Sequence, residues 1–229
     1  MPIRDSALVI MTKAPVPGET KTRLVPPLSP QEAAQVSQAL LEDQLQNLSR
    51  FEGADLVLTY TPSSAREFFA RLHPKEASFA QRGGDLGERM AYAFRHLLGA
   101  GFRRVVLIGG DLPPVPYVFL RDAFAALSDD SCDVVLGPAL DGGYYLIGMS
   151  RPLDDVFTGI EWSRSDVLAA TLGKLELFNR PYKLVGSWYD VDTIDDLRRA
   201  QSQFAVAPPE TMRKTRGLLK KFREGGTLN

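Results

Sequence analysis

Cysteine is almost absent: Cys132 is the single one among 229 residues. That excludes an internal disulfide and a metal site built from several thiolates. Histidine is nearly as scarce. His73 and His96 fall on expected helices with no partner near them in sequence, so neither is given a role. No apolar run is long enough to span a membrane, and that of MPIRDSALVIM is too short for a signal peptide. The expected location is therefore the cytoplasm, with no membrane partner. Neither sign of charge dominates: 27 Lys and Arg face 28 Asp and Glu, a net −1, which gives no global reason to expect nucleic acid. There is no GxxxxGK[ST] loop, no GxGxxG, no nucleophile elbow and no Ser/His/Asp pattern.

What is there centres on Arg104 to Pro114, RVVLIGGDLPP. Val105 to Ile108 form an unbroken, largely β-branched apolar run, the pattern of a strand buried on both faces in a parallel sheet. Gly109 and Gly110 end it, Asp111 follows, and Pro113, Pro114 and Pro116 lead into a helix. A carboxylate at the carboxyl end of a central strand lies where open α/β sheets bind ligands. It suits a hard cation such as Mg²⁺, which takes oxygen ligands. The bland alternative is that Asp111 caps the following helix.

Elsewhere strands and helices alternate. Strands are expected at Ala7–Met11, Asp55–Tyr60, Glu76–Gln81, Asp133–Gly137, Tyr144–Met149 and Tyr182–Val185. Helices are expected at Pro30–Leu48, opened by the capping box Ser29-Pro30-Gln31-Glu32, at Thr61–Leu72, from the Gly83–Arg89 segment through Leu98, from Ser163 as cap, and from Ile194. This alternation predicts a three-layer α/β/α sandwich with a mixed, mostly parallel sheet. The short Ala139–Gly143 link makes one late strand antiparallel. Residues 1–206 are read as one domain. Residues 207–229 form a basic tail, expected to be helical, with Arg213, Lys214, Arg216, Lys220, Lys221 and Arg223.

Four constellations could carry chemistry. The loop KAPVPGETKTRL offers Lys13, Lys21 and Arg23 on a stretch stiffened by Pro15 and Pro17, with Gly18 permitting close approach; it reads as a phosphate cradle or as a solvated loop. Asp111 with Asp190 and Asp192 could hold one divalent cation, although Asp192 before Thr193 also suits a helix cap. Gly83-Gly84-Asp85 with Arg89 suits base or ribose recognition, or merely a turn and cap. Asp141-Gly142-Gly143 could face an acceptor, with Asp141 as a base, or could be a hairpin turn. Glu161-Trp162-Ser163 is a weaker candidate. Trp162 and Trp188 could stack on a base, but packing is the commoner use.

Taken in order, KAPVPGETKTRL, GGDLGERM, VVLIGGDLP, LGPALDGGYYLIG, FTGIEWSRSDVLAAT and YDVDT closely resemble the DUF2064 family of GT-A-fold, glycosyltransferase-like proteins. The resemblance runs from about Leu8 to about Leu197. That family sits in the nucleotide-diphospho-sugar transferase superfamily, which also contains nucleotidyltransferases. The resemblance implies a GT-A fold, a nucleotide (NTP or NDP-sugar), a small-molecule acceptor and a divalent metal, Mg²⁺ or Mn²⁺. It implies nucleotide binding by Lys13, Gly18, Lys21 and Arg23, metal binding by Asp111 and Asp192, and an acceptor facing Asp141, Gly142 and Gly143; the residue reading adds Pro17, Gly84, Asp85 and Gly110 to the nucleotide set and Glu161 to the acceptor set. The implied catalytic set is Lys21, Arg23, Asp111 and Asp141. One departure matters. GT-A glycosyltransferases commonly carry Asp-x-Asp after the central strand, whereas this chain has Gly109-Gly110-Asp111. That favours nucleotidyl transfer from an NTP, with glycosyl transfer or a non-catalytic nucleotide-binding role as alternatives. A homodimer is left open.

Overall fold

The computed structural model describes residues 5–72, 77–129 and 131–228. The chain divides into two compact units. One comprises residues 1–11, 51–109 and 115–189, and the other residues 12–50, 110–114 and 190–229.

The first unit is built on a seven-stranded sheet. Its strands are β1 (Ser6–Lys13), β2 (Asp55–Thr61), β3 (Ala77–Ala80), β4 (Arg104–Gly109), β5 (Val134–Pro138), β6 (Tyr144–Met149) and β7 (Tyr182–Leu184), in spatial order β3-β2-β1-β4-β6-β5-β7. β1 and β4 pair in parallel with Leu8 opposite Val106 and Ile10 opposite Ile108; β2 with β3 and β5 with β7 are also parallel. β6 runs antiparallel to both β4 and β5. Only five residues separate β5 from β6, too few for a parallel crossover. The expected mixed, mostly parallel sheet is therefore present.

Alternation along the strands divides the core. Ala7, Val9, Val105, Leu107, Val134, Leu136, Ile147 and Met149 form one buried cluster with Phe94 and Leu97 of α3 (Leu86–Gly99) and Leu175 of α5 (Val167–Leu177). The intervening residues face the other way. There Val106, Val135 and Leu127, the last at the end of α4 (Tyr117–Ala126), close around Gly148, where an added Cβ would lie 2.7–3.0 Å from them. Phe69 of α2 (Arg66–Leu72) is fully buried and stacks on Tyr60 with ring centroids 4.7 Å apart. Burying one such aromatic side chain is worth roughly 1.5–3 kcal/mol.

The second unit contains α1 (Pro30–Leu48), α6 (Ile194–Gln203) and α7 (Arg213–Glu224). The expected capping box at Ser29 and Glu32 opens α1. The basic tail is helical as α7, whose Thr215, Leu219 and Phe222 are buried. Asp43 of α1, itself 4% exposed, accepts from the backbone N–H groups of Lys214 at 2.9 Å and Thr215 at 2.8 Å. A carboxylate on one helix thus satisfies two of the orphan donors of another. Burial pushes the Asp43 carboxyl above its ordinary range, and the two N–H donors offset part of that rise.

Three expectations need correction. Thr61 closes β2 rather than opening a helix. Pro62 caps a short 3-10 turn, Ser63–Ala65, before α2 begins at Arg66, since a residue preceding proline is driven towards extended backbone. Ser163 does not cap α5. It has φ +67°, Asp166 stands at the N-cap, and the Asp166 carboxylate turns to Arg164 at 3.1 Å. The third strand spans Ala77–Ala80, so Gln81 lies beyond it, while Glu76, like His73, falls outside the described residues.

Candidate functional site

The second unit gathers the basic loop and the carboxylates. Past Lys13 the chain makes a tight loop. The Thr20 hydroxyl donates to the Ala14 carbonyl at 3.0 Å, and Glu19 N–H to the Val16 carbonyl at 3.1 Å. Pro15 and Pro17 restrict the backbone, and Gly18 takes φ +81° where a Cβ would meet nothing within 4 Å. A 3-10 turn, Thr22–Leu24, follows. Leu24 is fully buried, whereas the Arg23 side chain is 70% exposed.

Lys21 introduces that turn in a left-handed conformation, φ +52° and ψ +39°. Its side chain is turned inward to 4% exposure. The ammonium donates to Asp111 Oδ2 at 2.6 Å and to Asp192 Oδ1 at 2.7 Å. Burial pulls this ammonium down. Attraction to Asp111 and Asp192, with the hydrogen bonds to both, outweighs burial and holds its pKa above the ordinary 10.5. For Asp192, burial acts upward, but the Lys21 charge and hydrogen bond, with Asp190 and Arg23, leave its carboxyl below the ordinary 3.8.

The backbone explains why the acids meet. The Val191 N–H donates to the Asp111 carbonyl at 3.2 Å, tying the Gly110–Pro114 segment to Asp190–Asp192. Val191 is fully buried between its two acidic neighbours. In extended chain, residues two apart point the same way, so Asp-Val-Asp presents two carboxylates together. One oxygen each from Asp111, Asp190 and Asp192 lie within 4.8 Å of one another. The cap alternatives for these acids do not describe the structure. Thr193, with Asp196, caps α6, and Pro116 stands at the N-cap of α4. Gly110, just before Asp111, is buried.

The remaining candidates belong to the sheet unit. Asp85 caps α3, accepting from Glu88 N–H at 2.8 Å. Gly84 N–H donates to Glu88 Oε2 at 2.7 Å, and Arg89 Nε to the Gly83 carbonyl at 3.1 Å. That is the turn-and-cap arrangement. Asp141 Oδ1 accepts from Gly143 N–H at 2.9 Å inside the β5–β6 turn. Gly142 has φ +93°, and a Cβ there would lie 1.9 Å from the Ser165 carbonyl oxygen. Its own carbonyl accepts from Leu168 N–H at 3.0 Å, joining the turn to the start of α5. Glu161 is exposed and pairs with Arg164 at 2.9 Å. The indole of Trp162 lies over Gly87, where a Cβ would sit 2.6 Å from the ring, and Trp188 packs edge-on against Phe119. Both tryptophans therefore serve packing. Cys132 is 2% exposed, and burial pushes its thiol up, the reverse of an activated nucleophile.

The ion pairs from Lys21 to two acids had no local sequence signal, and neither did the Asp43 link to α7. Only the position of Asp43 on the apolar side of α1, between Leu40 and Leu45, hinted at burial. Among the described residues no helix is long and apolar enough to cross a membrane.

Residues 44–164 match a family described as an uncharacterized protein conserved in bacteria, DUF2064. A crystal structure from Desulfovibrio desulfuricans G20, described as a candidate nucleotide-diphospho-sugar transferase, is 34% identical over 97% of this chain and 96% of its own, with TM-score 0.88. A cytidylyltransferase from Leptospira borgpetersenii serovar Hardjo-bovis is similar in fold at 12% identity, TM-score 0.63, over 97% of this chain and 95% of its own. A 4-diphosphocytidyl-2C-methyl-D-erythritol synthase from Anaerococcus prevotii DSM 20548 is also similar, at 12% identity and TM-score 0.58, over 88% and 97%. No curated protein matches the chain.

Proposed function

This chain belongs to the DUF2064 family, and on that premise we propose that it is a metal-dependent transferase moving a nucleotidyl group from an NTP to a small phosphorylated or hydroxylated acceptor. The observation that carries the reading is the convergence of Asp111, Asp190 and Asp192 on one point in the unit that also holds the basic loop. Three hard oxygen donors so close together fit Mg²⁺ or Mn²⁺. Asp111 and Asp192, with Asp190, would hold the ion, which when bound supplies charge neutralisation for phosphate oxygens.

The chain's own groups do the rest. Arg23, exposed and 3.6 Å from Asp192, binds phosphate oxygens. Lys13 and the open backbone at Gly18 extend the cradle, with Pro17 fixing its shape. Lys21 holds two of the acids in place and adds positive charge to the site. Gly110 is assigned to the nucleotide beside Asp111. The acceptor oxygen attacks the α-phosphorus, the bond from that phosphorus to the bridging oxygen breaks, and pyrophosphate leaves with it. A hydroxyl acceptor releases its proton to solvent as it attacks. No protein nucleophile is required, because this chemistry depends on positioning and electrostatics.

The fold shared with a cytidylyltransferase and a 4-diphosphocytidyl-2C-methyl-D-erythritol synthase supports this direction, as does the single carboxylate in Gly109-Gly110-Asp111. The description of the Desulfovibrio protein as a nucleotide-diphospho-sugar transferase supports a second reading, glycosyl transfer from an NDP-sugar. Products separate the two. Pyrophosphate formed from an NTP supports nucleotidyl transfer; an NDP formed from a sugar nucleotide, with no pyrophosphate from any NTP, overturns it.

A further inference from the structure

We propose that Lys21 is a resident counter-cation of the carboxylate cluster, a positioning residue that sets the charge met by an incoming divalent cation, and that Arg23 and Lys13 are the loop's phosphate-binding cations. This rests on the metal-dependent reading above and departs from the phosphate-facing role expected of a loop lysine.

A lysine that grips phosphate must offer its ammonium to ligand. Lys21 does the opposite. Its side chain is 4% exposed, whereas its partners Asp111 and Asp192 are 38% and 35% exposed. Two of its three N–H donors are committed at 2.6 and 2.7 Å. A left-handed backbone at a residue other than glycine directs this placement, and such strain persists only where surrounding structure enforces it. Withdrawing Lys21 to a phosphate would leave adjacent carboxylates repelling one another.

The charge balance agrees. Asp111, Asp190 and Asp192 with the Lys21 ammonium carry a net −2, the complement of one divalent cation once Arg23, now paired with Asp192, turns to phosphate. The partly exposed acids can receive that cation from solvent while Lys21 stays in place. Arg23 and Lys13, though each has an acidic neighbour and Lys13 also donates to the Glu19 carbonyl at 3.1 Å, have the exposure that phosphate binding needs. Arg23 is 70% exposed and 3.6 Å from Asp192; Lys13 is 47% exposed and meets Glu19 at 3.6 Å.

The test measures Mn²⁺ binding by electron paramagnetic resonance, and tripolyphosphate binding at saturating Mn²⁺ by calorimetry, on full-length wild type, Lys21→Met, Lys21→Arg and Arg23→Met. Removing the ammonium is expected to raise Mn²⁺ affinity about tenfold, because the cluster becomes more negative. Lys21→Arg keeps the charge and is expected to bind Mn²⁺ like wild type. A variant that merely loosened the site would bind the ion more weakly. Tripolyphosphate affinity is expected to hold within about threefold in Lys21→Met and to fall about tenfold in Arg23→Met, which loses a charge-assisted contact. Unchanged or weaker Mn²⁺ binding by Lys21→Met overturns the inference. So does a tenfold loss of tripolyphosphate in Lys21→Met with none in Arg23→Met. If Lys21→Met does not fold, Lys21→Gln, which keeps N–H donors without charge, must show the same rise in Mn²⁺ affinity. Wild type that takes up no Mn²⁺ overturns the metal-dependent reading itself and this inference with it, an outcome distinct from wild type that binds while Lys21→Met binds no better.

Discussion

The ammonium of Lys21 lies 2.6 Å from the carboxylate of Asp111, ninety positions further along the chain. The pair joins the first loop to the residues after β4 within one compact unit. Breaking it bears on stability as well as on ligand binding. Losing one partner of a fully buried pair costs about 3–5 kcal/mol. Asp111 is partly exposed and Asp192 still holds Lys21, so Asp111→Asn is expected to cost about 1–2 kcal/mol, nearer the solvent-screened case. The same variant is expected to lose about tenfold or more in metal-dependent nucleotide affinity, as removal of a charged ligand group implies. Urea unfolding and calorimetry separate the two effects.

The same cluster predicts a pH dependence with a definite sign. The Asp192 carboxyl is held below 3.8, so its stabilising contribution is full above that value and is lost as pH falls through the lowered folded value. Lys21 is held above 10.5, so its contribution is full below that value and is lost as pH rises through the raised one. Unfolding free energy is therefore expected to fall below pH 3.8 and above pH 10.5. Asp192→Asn flattens the acid limb, and Lys21→Met flattens the alkaline one.

Gly142 and Gly18 make a matched comparison. Both have positive φ, +93° and +81°, but only Gly142 faces an obstacle, the Ser165 carbonyl at 1.9 Å from an added Cβ. Gly18→Ala is expected to cost about 1 kcal/mol, the backbone term alone. Gly142→Ala is expected to cost about 3 kcal/mol, since the Leu168-to-Gly142 hydrogen bond moves with the clash. Equal midpoints for the two variants in urea would contradict this account of the turn.

The link from Asp43 to α7 is a capping interaction between helices. Asp43→Ala leaves the Lys214 and Thr215 N–H groups without their acceptor. The expected cost is about 1–2 kcal/mol. Hydrogen exchange should quicken across Arg213–Glu224 before the strands of the sheet respond.

Local signals set what could be read in advance. Pro30–Leu48 is found as expected, because Ser29, Pro30 and Glu32 define its start and a broad apolar stripe its length. Tyr144–Met149 and its antiparallel direction follow from a link too short to cross over. Ser163 misled because serine before an acid reads as a cap, while the salt bridges of Arg164 to Glu161 and Asp166 form another turn. Asp85, Asp111 and Asp192 each offered a cap or a ligand role from local pattern alone. Tertiary pairing separates them: Asp85 caps α3, whereas Asp111 and Asp192 meet Lys21. No local rule contains a lysine's choice of partners 90 and 171 positions away.

The central claim is metal-dependent binding of an NTP for nucleotidyl transfer. Its most direct test is the unfolding midpoint of the full chain with each NTP and with UDP-, GDP-, ADP- and dTDP-sugars, with and without Mg²⁺ or Mn²⁺. A ligand that binds the folded state raises the midpoint by mass action. The account predicts a metal-dependent rise with one NTP, clearly smaller in Asp111→Asn. A rise with a sugar nucleotide and its NDP but with no NTP, or no rise with any ligand, would contradict it.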